Sequence, residues 1–193
     1  MKKVISKIVL AGLVAGTSLV ADSSSVFDNG ISLIGIEGGI GTMKTELESS
    51  PAVKKDYSVP NIGLKVGAEY GSYRVFLSGR YFSQSDFDYI TTFGVEGQYL
   101  FHVSDAANIF IGVNAGIANM KFLVDGESSS RSISDPYVGG DAGVNFHVNE
   151  KFDLELGARV MNLVSENSMN GVTYKFDNIV SGYASLIYKF QMD

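Results

Sequence analysis

Charged side chains stand at every second position inside otherwise apolar stretches of this chain: Glu37, Lys65, Glu69, Arg74, Arg80, Glu96, Asp141, Glu155 and Arg159. Acids and bases spaced this way share one side of an extended chain, where they can pair. Candidates for covalent chemistry are sparse. His102-Val-Ser104 offers an imidazole that could activate a hydroxyl as a nucleophile. The acids of Lys44-Thr-Glu-Leu-Glu48 and Asp86-Phe-Asp88 could hold a divalent cation bridging phosphate groups, but they lack the spacing of a calcium loop and read as solvated loop charge. The absence of cysteine excludes disulfides and thiolate metal sites. The glycines alternate within extended stretches and open no helix, so they match no dinucleotide fingerprint. No catalytic, cofactor-binding or metal-ligating set is assigned.

The elements that position these charges are strands. From Asn61 to Tyr70, Ile62, Leu64, Val66, Ala68 and Tyr70 share one face, while Asn61, Gly63, Lys65, Gly67 and Glu69 share the other. The charged face is also the glycine-rich one, with Gly35, Gly39, Gly94, Gly112, Gly116, Gly139, Gly143 and Gly157. Small residues suit a narrow lumen, and the apolar face then meets lipid. The alternation recurs over 31–43, 60–70, 73–84, 89–102, 109–121, 137–148, 152–164 and 178–190. The fold expected is all-β: an eight-stranded, antiparallel, transmembrane up-and-down β-barrel. Gly71-Ser72, Asn149-Glu150-Lys151 and Ser104 to Asn108 read as short periplasmic turns; Lys44 to Val59, Val124 to Pro136 and Ser165 to Asp177 read as longer extracellular loops.

Setting all strand midpoints at one height gives a central layer of Glu37, Lys65, Arg80, Glu96, Asn114, Asp141, Arg159 and Ser185. That layer predicts the neighbours Glu37–Lys65, Arg80–Glu96 and Asp141–Arg159. A two-residue turn at Gly71-Ser72 adds Glu69–Arg74, and a three-residue turn after Val148 sets His147 opposite Asp153 and Asp141 opposite Arg159. Eight strands leave a lumen that side chains can fill, so a plugged interior is expected. Tyr70, Tyr73, Tyr89, Tyr99, Phe101, Phe146, Phe152, Tyr188 and Phe190 mark the ends of the outward face and suit a headgroup girdle built without tryptophan.

A chain of 193 residues with one uninterrupted pattern makes a single barrel over residues 31–190. Lys2, Lys3 and Lys7 precede the apolar stretch Ile8 to Ala21, the order of a secretory signal peptide, with cleavage expected after Ala21. A polar segment, 22–30, and a short extension, 191–193, flank the barrel. Removing three lysines from a chain of net charge −6 leaves −9, which excludes a basic nucleic-acid footprint.

The strand count, loop asymmetry and final segment Gly182-Tyr-Ala-Ser-Leu-Ile-Tyr-Lys-Phe190 resemble the small eight-stranded outer-membrane barrels of the OmpA/OmpX and opacity-protein type. The final segment resembles the terminal signal read by the outer-membrane assembly machinery, which would give Gly182, Tyr188 and Phe190 their roles. It departs from the usual pattern in that Gln191, Met192 and Asp193 follow the phenylalanine, and no peptidoglycan-binding domain follows the barrel. His102-Val-Ser104 is similar to the His-x-Ser element of an outer-membrane lipid A deacylase, but strand four descends and puts it at the inner end, away from the outer leaflet. The resemblance implies a monomer in the cell outer membrane, with lipid, lipopolysaccharide, the assembly machinery and an extracellular loop ligand as partners. The expected function is non-enzymatic: anchoring surface loops for envelope integrity or adhesion. A narrow porin-like channel and a soluble calycin-like carrier, with the apolar face lining a cavity, are the alternatives.

Overall fold

A computed structural model of the protein describes residues 30–48, 53–83, 89–123, 130–169 and 172–191. The proposed signal peptide, its cleavage point, Asp86 and Asp88 fall outside the described residues. Eight strands form: β1 (Ile31–Glu48), β2 (Val53–Tyr70), β3 (Tyr73–Phe82), β4 (Tyr89–Ser104), β5 (Ala107–Leu123), β6 (Ser130–His147), β7 (Phe152–Met169) and β8 (Val172–Phe190). Each pairs antiparallel with the next, and β8 returns to β1, so the sheet is a closed barrel with no free edge.

Following the ladder from Glu37 through Gly63, Arg80, Thr92 and Ala118 reaches Asp135 on β6. Going the other way, through Ser185 and Glu155, reaches Asn145 on the same strand. The barrel therefore closes with a stagger of ten residues, and its strands must tilt.

The period-two pattern sorts the faces. Ile36, Leu64 and Val113 are 57%, 65% and 70% exposed on the outside, whereas Glu37, Lys65, Glu96 and Glu155 are buried within. A continuous apolar outer belt of this kind requires lipid around it. It is also the reverse of a calycin-like carrier, whose apolar face would line the cavity.

One end of the barrel carries the tight turns. Gly71 takes φ +57°, the left-handed region open to glycine, and Tyr70 pairs with Tyr73 across the turn. After β6, Asn149 Oδ1 accepts from the Lys151 and Phe152 N–H groups at 2.8 and 2.9 Å, and Val148 N–H donates to the Phe152 carbonyl. This fixes His147 opposite Asp153 and Asp141 opposite Arg159. Rings gather at the same end: Tyr73 on Tyr99, Tyr99 on Phe101, Phe152 on Tyr188, and Tyr188 on Phe190, with centroids 4.8 to 5.7 Å apart.

At the opposite end the strands run past their expected limits. Much of what reads as loop in the sequence is paired hairpin: Lys44 to Leu47 pair with Asp56 to Val53, Leu123 pairs with Ser130, and Met169 pairs with Val172.

Candidate functional site

The candidate site is the lumen, which is filled at successive levels. Nearest the hairpins, Met43, Phe82, Ile90, Met120, Tyr137 and Ile179 belong to one apolar cluster, each at 0% exposure. Close-packed side chains of this size exclude water from that cross-section. The level was not anticipated from the sequence. The available signal was that alternation fades at the upper strand ends, where Tyr81-Phe82, Tyr89-Ile90 and Val160-Met161 put apolar residues on both faces.

Below it lies a ring of two acids and two bases. The Arg159 guanidinium donates to Glu37 from Nη1 and Nη2 at 2.7 and 3.1 Å and reaches Glu96 Oε2 at 3.4 Å. Arg80 donates to Glu37 Oε1 from Nε at 2.8 Å and to Glu96 from Nη2. Each carboxylate thus sits between two guanidinium groups, and the ring is electrically neutral. All four side chains are buried, so their charges persist only through this mutual pairing. Glycine makes the space: a Cβ at Gly63 would stand 2.9 Å from Arg80 Cγ, and one at Gly157 would stand 2.6 Å from Tyr183 Cζ. The Tyr183 ring lies on Gly157 and faces the Arg159 guanidinium, 4.2 Å from its centroid.

Toward the turns a second ionic group forms. Lys65 Nζ donates to Glu155 at 2.6 Å; Arg74 donates to Glu69 at 2.5 Å and to Asp153 at 2.6 Å; Lys189 pairs with Asp153 at 2.8 Å. His147 joins the group, Nδ1 lying 2.8 Å from Asp153 Oδ1 and Nε2 3.1 Å from Asn108 Nδ2. Three acids and three bases again balance.

Several expected pairs are rearranged. Glu37 does not meet Lys65: its partner across β2 is Gly63, while Lys65 stands opposite Gly35 and crosses the lumen to Glu155. Asp141 is the register partner of Arg159, but Arg159 turns to Glu37 and Glu96, and Asp141 instead accepts from Gln98, Asn114 and Tyr183. Arg80 does bond Glu96, although the backbone register sets it opposite Thr92. The stagger is the physical reason: in a tilted barrel, residues at one height are not register partners, and long side chains meet across the lumen instead. Glu69 and Arg74 are both register partners and an ion pair.

His102 and Ser104 are exposed at the turn end, where a bulge separates them, and Ser104 Oγ accepts from the Ala106 N–H at 3.3 Å. That bond braces a turn. Among the described residues, no cluster of acids and histidines has the grouping of a metal site. Gly182 and Tyr188 face outward on β8, and Phe190 ends the strand opposite Ser32.

Residues 8–190 match the model of the family described as outer membrane protein beta-barrel domain. The chain belongs to that family. Its members are proteins of the outer membrane. The fold is that of neisserial surface protein A, at 15% identity and TM-score 0.61 over 81% of this chain and 97% of that one. It is also that of outer membrane protein H of Pseudomonas aeruginosa, at 16% identity and TM-score 0.55 over 83% and 99%. The attachment invasion locus protein Ail of Yersinia pestis, solved with the heparin analogue sucrose octasulfate, is similar at 18% identity and TM-score 0.51 over 83% and 99%. No curated protein matches the sequence.

Proposed function

We propose that this barrel is a non-enzymatic anchor that holds long hairpins at the cell surface, serving envelope integrity or surface interaction. The observation that carries the reading is the contrast between a lumen filled by ionic and apolar levels and strands far longer than the membrane needs. Crossing takes about 9–11 residues per strand, whereas β1, β2, β6 and β7 each have 18. The excess corresponds to roughly 25 Å of strand, enough to lift the hairpin tips clear of the hydrocarbon region.

In this account residues 1–21 direct export and are removed, and the assembly machinery reads the segment from Gly182 to Phe190. The mature monomer then meets lipid and lipopolysaccharide with its belt. An extracellular ligand would be bound by the hairpins, and the sulfated polysaccharide analogue captured by Ail makes heparin a reasonable first probe.

The test compares two sets of full-length variants in cells, with folding checked by heat-modifiable migration. Shortening the β1–β2, β5–β6 and β7–β8 hairpins should abolish surface binding or detergent resistance. Substitutions in the lumen that preserve folding should leave both intact. The opposite pattern, silent hairpins and sensitive lumen variants, would favour a channel.

A further inference from the structure

At the hairpin end the wall of the barrel divides between β6 and β7. Their pairing stops at Tyr137 and Leu163. Beyond that point β6 continues to Ser130 against β5 alone, and β7 continues to Met169 against β8 alone. Among the described residues, neither strand has a ladder partner across this seam.

The backbone supplies the reason. His147 N–H donates to the Ala106 carbonyl on the β5 side, and Val148 N–H donates to the Phe152 carbonyl on the β7 side. Successive N–H groups of an extended strand point to opposite edges, and no bulge interrupts β6, so its even-numbered residues face β7. Pro136 is one of these, and proline has no N–H to give. The ladder therefore loses its donor right beside its last pair. Past the proline, Ser130, Ser132 and Ser134 each turn an N–H and a carbonyl toward the open side, about 7 Å apart along the strand. Serines carry this row, and no proline or charged residue shields it. Ser134 is exposed.

We propose that the β6 edge from Ser130 to Pro136 is a docking site for an extended segment of a partner polypeptide, which adds antiparallel to it as a further strand within the seam. The proposal rests on the surface-interaction reading above and names the kind of partner. Donors and acceptors alternating at strand spacing match the main chain of another strand, and they match it whatever its side chains. The added strand repeats on this edge what β5 does on the other, where Ile117 to Leu123 pair with Pro136 to Ser130.

The test is amide hydrogen exchange, read residue by residue by NMR, on the folded full-length barrel in lipid nanodiscs. The probe is a synthetic peptide copying Leu163 to Met169, the strand across the seam. In the free barrel Ser132 and Ser134 should exchange at least about tenfold faster than Arg131, Ile133 and Asp135, whose N–H groups face β5. Saturating peptide should slow Ser132 and Ser134 by about tenfold or more and leave the odd-numbered residues unchanged. Ser134→Pro removes one donor on the open side and spares the β5 ladder, so it should weaken peptide binding about tenfold, whereas Ser134→Ala, which keeps the N–H, should bind as wild type does. Heat-modifiable migration reports that each variant folds. Equal protection of even- and odd-numbered residues in the free barrel would overturn the proposal, as would peptide that leaves Ser132 and Ser134 unprotected or binding undiminished in Ser134→Pro. Any of these results, with surface binding still lost on shortening the hairpins, would remove this site alone and leave the anchor reading standing.

Discussion

Arg159 joins two acids that come from opposite parts of the chain, and its worth lies in what its removal leaves behind. Arg159→Ala strips two bonds from Glu37 and the contact with Glu96, all within a buried ring. The expected cost is about 3–5 kcal/mol, because truncating one partner of a buried pair strands the other's charge. Glu37→Ala together with Arg159→Ala should recover part of that loss, and the coupling should exceed that of Asp141→Ala with Arg159→Ala, since Asp141 shares Tyr183 with Arg159 but makes no hydrogen bond to it. Folding titrations in lipid vesicles measure both cycles; a larger coupling for Asp141 than for Glu37 would contradict the ring. Gly157→Ala should cost roughly 1–3 kcal/mol in the same titration, because its methyl group occupies the place of the Tyr183 ring. Which residues face inward was legible from the period of two alone. Their partners were not, because a stagger of ten residues separates equal height from equal register, and that stagger is a property of closure around all eight strands.

At the scale of elements, the strands are positioned by their outer faces and by their turns. Val113 lies mid-strand on β5 and is 70% exposed to lipid, so Val113→Arg should cost roughly 2–4 kcal/mol. Exchanging Glu150 or Lys151 in the exposed turn after β6 for alanine should change stability by less than about 0.5 kcal/mol, since neither side chain is required for the Asn149 bonds that close it. Equal tolerance at the two places, read from urea titrations in vesicles, would refute the assigned faces. All eight strands and the three short turns were legible, because alternation and turn residues are local signals. The extensions at the hairpin end were not: the sequence there carries polar residues at successive positions, so paired strand such as Lys44 to Leu47 lacks the alternation that marks a strand and looks like loop. The apolar plug was hidden for the converse reason, since apolar residues on both faces erase the period that identifies an inward position.

Taken as a whole molecule, the barrel combines an apolar belt, a lumen of two balanced ionic groups and an apolar level beneath the hairpins. The family and the closed eight-strand architecture follow from the alternation of the entire chain, which is why they could be read without knowing any side-chain contact. The biological role was not legible in the same way, because fold alone does not carry it. The two levels of the plug should act in series. Opening the ionic ring by Glu37→Ala with Arg159→Ala leaves the apolar cluster in place and should yield no steady current, whereas adding Met120→Ser and Phe82→Ser should do so. The central claim is that the wild-type lumen is closed, and planar-bilayer recording of the purified, folded, full-length protein tests it most directly. The account predicts no steady conductance in wild type across salt conditions. A stable, reproducible single-channel conductance from wild-type barrels would contradict it and make this protein a narrow pore.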